Sequence, residues 1–167
     1  MEQDIIDRIS RDLGERGVEA DVSGLAVTGR VLRLARSVEA ARDELLGEFG
    51  LSVADFDVMA TLRRRAEPSG LKAKHVQASV MITSGGMTKR LDRLESAGLI
   101  ERLSDPDDRR GVLIALTTAG RQAIDEALPA LLAAEAKMIG EAIGSARDRE
   151  RLVSLLRQLL VGMDGRA

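Results

Sequence analysis

Ser84-Gly85-Gly86-Met87-Thr88-Lys89-Arg90 is the stretch of this sequence whose residue types and order most suggest chemistry. Two glycines at the expected start of a helix oppose helix propensity, which invites a functional reason for them. Backbone N–H groups left uncovered at such a start can meet an anion such as phosphate. Helical spacing places Ser84, Thr88, Lys89 and Arg93 outward, with Met87, Leu91 and Leu94 inward. Hydroxyls and cations on an outward face suit contacts to base edges and phosphates of duplex DNA. An ordinary solvated helix face has the same composition, so the stretch must be weighed with its surroundings.

A second cluster follows at Asp105-Pro106-Asp107-Asp108-Arg109-Arg110-Gly111. Its carboxylates can orient the Arg109 and Arg110 guanidinium groups, and arginine is favoured in a narrow, strongly negative minor groove. Asp108 and Arg110 could equally fasten a hairpin, and the two roles are compatible. Charge along the chain bears on both clusters. Net charge is −2, yet residues 63–90 hold seven Lys/Arg against one Asp/Glu, while residues 1–62 hold seven against thirteen. A local basic field attracts phosphate even on an acidic protein.

The elements that must position these clusters are mostly helical. Aromatic residues make up 1% of the 167-residue chain, so Leu, Val, Ile, Ala and Met must fill its core. Ile5, Ile6, Ile9 and Leu13 share one face of a first helix, which ends at Gly14 and Gly17. Ser23 is the expected cap of a long helix carrying Val27, Val31, Leu34, Val38, Ala41 and Leu45 up to Gly47. Ser52 and Asp55 form a capping pattern ahead of Phe56, Met59, Ala60 and Leu62, and Pro68-Ser69-Gly70 closes that helix. A short helix over Lys72–Ala78 and another capped by Thr83 or Ser84 and stopped at Gly98 make a helix-turn-helix. The period then changes: Leu99–Leu103 and Val112–Leu116 are expected strands of a hairpin with an extended polar tip, a wing. Thr117 or Thr118 caps a long helix bent or interrupted at Pro129, and Ser145 caps a last one bearing Leu152, Leu155, Leu156, Leu159 and Leu160.

Composition excludes several classes. With no Cys and one His, the chain cannot build a thiolate or multi-His zinc site, a disulfide or a Cys nucleophile, and no metal or cofactor is expected. No carboxylate pair, Ser-His-Asp order or phosphate loop stands out, so the reading is not an enzyme. Met1-Glu2-Gln3-Asp4 lacks the basic flank and apolar block of a signal peptide, and no apolar run approaches the roughly 20 residues of a membrane span. A cytoplasmic location is expected.

Phe56-Asp57-Val58-Met59, the run Thr83–Glu95, Asp105-Pro106-Asp107-Asp108-Arg109-Arg110-Gly111-Val112-Leu113 and Leu116-Thr117 together resemble the MarR family of transcription regulators. The resemblance covers Leu51–Gly120 closely and the flanking helices by arrangement. It implies that terminal helices of two subunits interlock as a homodimer and that Ser84–Arg93 lie on the recognition helix. It also implies that the Asp108-x-Arg110 signature contacts or supports minor-groove binding, and that a ligand crevice lies between the dimerisation helices and the DNA-binding lobe. The expected fold is therefore mainly α with a small β-hairpin wing: dimerisation helices over 1–50, a winged helix-turn-helix lobe over 51–118 and dimerisation helices over 119–167. DNA-binding candidates are Ser84, Gly85, Gly86, Thr88, Lys89, Arg90, Arg93, Asp108, Arg109 and Arg110, acting on double-stranded DNA with an inverted-repeat operator.

The chain departs from the family in two places. Leu71-Lys72-Ala73-Lys74-His75-Val76 lacks the Ser or Thr often found before the first motif helix, and the added first helix lacks the Trp of the urate-responsive branch. For His75 an exposed or phosphate-facing role and a structural role stand ahead of a pocket role. Arg30, Asp57, Met59, Arg63 and Met81 are candidate lining residues for a ligand, because they mix flexible apolar surface with charges suited to a small aromatic acid. The reading is a ligand-released repressor; the alternative is a winged-helix protein-interaction module without sequence-specific DNA binding.

Overall fold

The computed structural model describes residues 3–65, 70–77 and 86–165, with the backbone alone at 109 and 110. Helix α1 (Ile5–Glu15) starts on Asp4, whose side chain accepts from the Ile6 and Asp7 N–H groups while the Asp4 N–H donates to Asp7. Gly14, expected to end this helix, lies inside it. Ile6 is buried against the next helix, where a side chain at Gly29 would meet its Cδ1 at 2.8 Å. Helix α2 (Ser23–Gly47) ends at Gly47 as expected but is not capped by Ser23. Asp21 accepts the Ser23 N–H at 2.9 Å and its hydroxyl at 3.0 Å, because an aspartate can bond the backbone two residues on and so moves the start signal upstream. Leu46 at the end of α2 is fully buried, whereas Val27, Val31 and Leu34 on its first half are exposed.

Helix α3 (Val53–Arg65) has the expected start. The Asp55 N–H donates to Ser52 Oγ at 3.2 Å, and the Ser52 hydroxyl and N–H donate to Asp55 Oδ2 at 2.6 and 3.3 Å. Phe56, Val58, Met59 and Leu62 are buried in the core. Lys72 was expected to open a helix; instead Leu71–Lys72 form strand β1, and helix α4 (Ala73–Gln77) follows. The reason is Gly70, with φ 88°, where a Cβ would stand 2.8 Å from the Ile114 carbonyl oxygen. Only glycine permits both that backbone conformation and that approach, which sets Leu71 opposite Ile114 and Lys72 opposite Leu113.

Strands β2 (Ile100–Asp105) and β3 (Asp108–Leu116) complete an antiparallel sheet of order β1-β3-β2. The hairpin keeps one register from Ile100 opposite Leu116 to Ser104 opposite Val112, shifts between Ser104 and Asp105, and closes with Asp105 opposite Asp108, leaving a tight Pro106-Asp107 turn where an extended tip was expected. Asp105 explains the difference. It is buried under the turn, accepts the Asp107 N–H at 3.0 Å and lies 2.7 Å from Lys72 Nζ. A Cβ at Gly111 would fall 2.7 Å from Asp105 Cβ, so the glycine leaves room for the carboxylate.

Helix α6 (Thr118–Ala142) is capped by Thr117, whose Oγ1 accepts the Gly120 N–H at 3.0 Å. It runs unbroken through Pro129, where a bend or an interruption was expected. Proline removes one helical bond, and burial of Ala127 and Leu131 on either side holds the two halves together. Helix α7 (Ala146–Asp164), capped by Ser145, has no buried residue. The core joins Leu46, α3, Val76, the sheet and the first half of α6 through Ile124 and Leu131. Among the described residues, no helix is long and apolar enough to cross a membrane.

Candidate nucleic-acid interface

Helix α5 (Met87–Ser96) starts on Gly86, at φ 97° and without a side-chain cap, where Thr83 or Ser84 was expected to cap it. A positive φ of that size is a glycine conformation, so Gly86 has a backbone reason to be glycine. Ser84 and Gly85 lie outside the described residues. Met87, Leu91 and Leu94 pack into the core as expected, which turns Thr88 and Lys89 to the surface.

The remaining α5 candidates do not simply point outward. Arg90 is half-buried and acts electrostatically on Asp57 of α3. Arg93 is 59% exposed along its side chain, yet its guanidinium is paired with the buried carboxylate of Asp55 and donates to Ser52 Oγ at 3.0 Å. Burial pushes the Asp55 carboxyl up, but the bonds from Arg93 and Ser52 outweigh it and hold the group below the usual carboxylate range. Asp92 and Glu95 both pair with Arg102 of β2, Asp92 at 2.6 Å.

At the wing, Asp108 lies 3.8 Å from Lys72 Nζ, the cation that also pairs with Asp105. The Lys72 ammonium holds Asp105 below the ordinary carboxylate range. The side chains of Arg109 and Arg110 lie outside the described residues, though both stand on β3 just beyond the turn. Lys72 had no expected role beyond basicity. Its signal in the sequence was Gly70 beside an apolar Leu71, a pattern that breaks a helix and permits a strand.

Among the described residues, the ligand candidates do not share one site. Arg30 Nε lies 2.8 Å from Asp4 and its Nη2 lies 2.7 Å from Asp7, pinning α1 to α2. Met59 is fully buried in the core, Arg63 pairs with Asp125 of α6 at 2.6 Å, and Met81 lies outside the described residues. Asp57 alone lines an open cleft between α2 and α3, beside Val38, Glu39, Arg42 and Val53. Arg42 reaches 3.4 Å from both Asp57 and Glu135 and lies 5.8 Å from the Phe56 ring centroid. Burial pushes the Asp57 carboxyl above its ordinary range despite the opposing pull of Arg42 and Arg90. Arg42 was not singled out from sequence, because it stands beside the apolar stripe of α2 and carries no motif.

A helix-turn-helix lobe flanked by a sheet wing and long helices is the arrangement of known transcription regulators, and the MarR family profile matches residues 51–112. Over that lobe the chain is similar to the MarR family. It is 37% identical over 102 residues to the HTH-type transcriptional regulator PecS of Dickeya dadantii, a match covering 61% of each chain. The chain thus spans about three fifths of the length of that relative. The structure of a MarR family transcriptional regulator from Silicibacter pomeroyi superimposes with a TM-score of 0.72 at 28% identity, covering 87% of this chain and 99% of that one. A mutant MarR from E. coli, solved in complex with operator DNA, superimposes with a TM-score of 0.68 at 25% identity, covering 85% and 99%. The fold, mainly α with a small antiparallel sheet, is shared with these solved regulators over most of the chain.

Proposed function

We propose that two copies of this chain bind an inverted-repeat operator in double-stranded DNA as a homodimer and regulate transcription from it, as a repressor released by a small ligand. The observation that carries this reading is α5 itself. Its apolar stripe of Met87, Leu91 and Leu94 is spent on the core, so the Thr88 and Lys89 face stands out beside a three-stranded wing. That is the geometry in which a recognition helix enters a major groove. The operator complex of the E. coli relative supports the same partner. The chain acts by binding and not as an enzyme, and its place is the cytoplasm, with its operator.

In this reading Gly86, Thr88, Lys89 and Arg90 belong to the DNA face with Ser84 and Gly85, and Asp108, Arg109 and Arg110 belong to the wing that meets the minor groove. The terminal helices of 1–50 and 119–167 join the subunits, and 51–118 forms the DNA-binding lobe. A small aromatic acid would enter the cleft beside Asp57, where Arg42 offers the cation, and shift the spacing of the two recognition helices by binding one spacing better than the other.

Lys89→Ala and Thr88→Ala test the DNA face. Lys89→Ala is expected to weaken duplex binding and to make the salt dependence shallower by about 0.9 in log–log slope, the effect of one lost phosphate contact. Thr88→Ala is expected to relax sequence preference while keeping that slope. Binding measured by fluorescence anisotropy across a salt series decides. Unchanged affinity and slope in both folded variants would favour a protein-interaction module.

A further inference from the structure

We infer that Arg93 is a positioning residue that latches the recognition helix α5 to the start of α3 through Asp55, and that it serves DNA binding through this latch and not through a phosphate. The inference rests on the proposed DNA-binding function. Composition alone put Arg93 among the phosphate contacts, as a cation on an outward helix face.

The geometry gives its guanidinium another partner. Asp55 is 6% exposed along its side chain, while Arg93 reaches down to it from the surface. The same Asp55 oxygen takes the Ser52 hydroxyl at 2.6 Å and the Ser52 N–H at 3.3 Å, and Arg93 Nη2 donates to Ser52 Oγ at 3.0 Å. One carboxylate therefore starts α3 and holds α5. A pair with one charge so deeply buried is not broken cheaply, since the abandoned carboxylate would lack its charged partner away from water. Among the described residues, the buried Asp55 Oδ1 has no hydrogen-bond partner, so the charge depends on what Oδ2 receives.

Helix α5 needs such a hold. It has ten residues and packs through the single stripe of Met87, Leu91 and Leu94. A stripe of that width fixes which face is inward but resists rolling and sliding weakly. At 3.6 residues per turn, Arg93 lies on one flank of the stripe, and Asp92 and Glu95 lie on the other. Asp92 and Glu95 are gripped by Arg102 of β2. The helix is thus tied on both flanks, to α3 through Arg93 and to the wing through Arg102. The tie sets the angle at which Thr88 and Lys89 are presented.

The two roles of Arg93 predict opposite signs for Asp55→Asn. If Arg93 served a phosphate, releasing it from Asp55 would strengthen duplex binding; if it is a latch, the same change weakens binding. The experiment measures Asp55→Asn, Arg93→Gln and the double variant against a duplex selected by the wild-type protein from a random-sequence library, across a salt series. Amide hydrogen exchange is recorded on each protein without DNA. The expected result is binding weakened about tenfold in both single variants, no further loss in the double, and an unchanged salt slope. Faster exchange in α5, confined to that helix in Arg93→Gln, should accompany it. Tighter binding by Asp55→Asn, or a slope shallower by about 0.9 in Arg93→Gln, would overturn the latch and return Arg93 to the phosphates. Should Asp55→Asn fail to fold, the slope and exchange of Arg93→Gln decide alone. Should the wild-type protein select no duplex, the DNA-binding function falls; faster α5 exchange in Arg93→Gln would still support the latch, and unchanged exchange would overturn it.

Discussion

Replacing Gly120 with alanine is expected to lower the melting temperature by about 10 °C, on the basis of about 3 kcal/mol of overpacking at the 2–4 °C per kcal/mol usual for this chain length. In an exposed helix the same change stabilises by about 1 kcal/mol, so the expected sign is reversed. Gly120 sits in the first turn of α6, where its N–H donates to Thr117 Oγ1 at 3.0 Å. The Thr117 N–H donates to the Leu99 carbonyl at 3.2 Å and its hydroxyl to the Gly98 carbonyl at 2.6 Å, which draws the start of α6 onto the end of the α5–β2 turn. A Cβ on Gly120 would then stand 1.8 Å from the Leu99 carbonyl oxygen and 2.7 Å from its carbon. These are backbone atoms, with no rotamer to relieve the overlap. Gly29 is the control, because a Cβ there meets only the flexible Ile6 side chain at 2.8 Å. Thermal unfolding of Gly120→Ala and Gly29→Ala checks this, and a melting temperature for Gly120→Ala at or above wild type would contradict the packing described.

Charging the face of α7 is expected to separate the dimer and to weaken duplex binding by about 100-fold or more, the scale set by losing the second of two linked sites. Val153, Leu155, Leu156, Leu159, Leu160, Val161 and Met163 are between 38% and 67% exposed. No residue of α7 is buried by its own chain, although Leu156 and Leu159 share a face at helical spacing. Leu132 and Ile139 on α6 and Val31 and Leu34 on α2 are exposed as well, and an apolar surface of this extent on α7 calls for a cover. The proposed second copy of the chain would supply it without a further component. Leu156→Glu with Leu159→Glu should leave the lobe folded, because neither residue touches its core. Light scattering at micromolar concentration is expected to give a dimer for wild type and a monomer for the variant. A variant that stays dimeric, or a wild-type monomer that still holds duplex with full affinity, would contradict the assembly.

The sequence was most legible where one local signal decides one local structure. Ser52 with Asp55, Thr117 and Ser145 each announced a helix start, and each side chain is found bonded to the backbone as its type requires. Met87, Leu91 and Leu94 fixed the inward face of α5 because helical spacing permits no other common face. Legibility failed where a polar residue answers to a distant partner. Asp105 looked like part of a solvated tip and is buried because Lys72, far away in the chain, comes to lie beside it. Arg93 looked like a surface cation and is tied to Asp55 across 38 positions. Arg30 looked like a ligand contact and is occupied by α1. In each case charge type is visible in the sequence, but the pairing follows only once the elements have packed.

Selection of duplexes by the wild-type protein from a random-sequence library, followed by a salt titration of the selected duplex, tests the central claim most directly. The protein itself picks out its operator in such a selection. A two-fold protein presenting two α5 helices is predicted to enrich an inverted repeat with half-site centres about 10 bp apart. Two protomers should bind each duplex, with affinity falling about 10³-fold or more between 50 and 200 mM salt as phosphate contacts release counterions. Failure to enrich any inverted repeat, or binding that does not respond to salt, would contradict it.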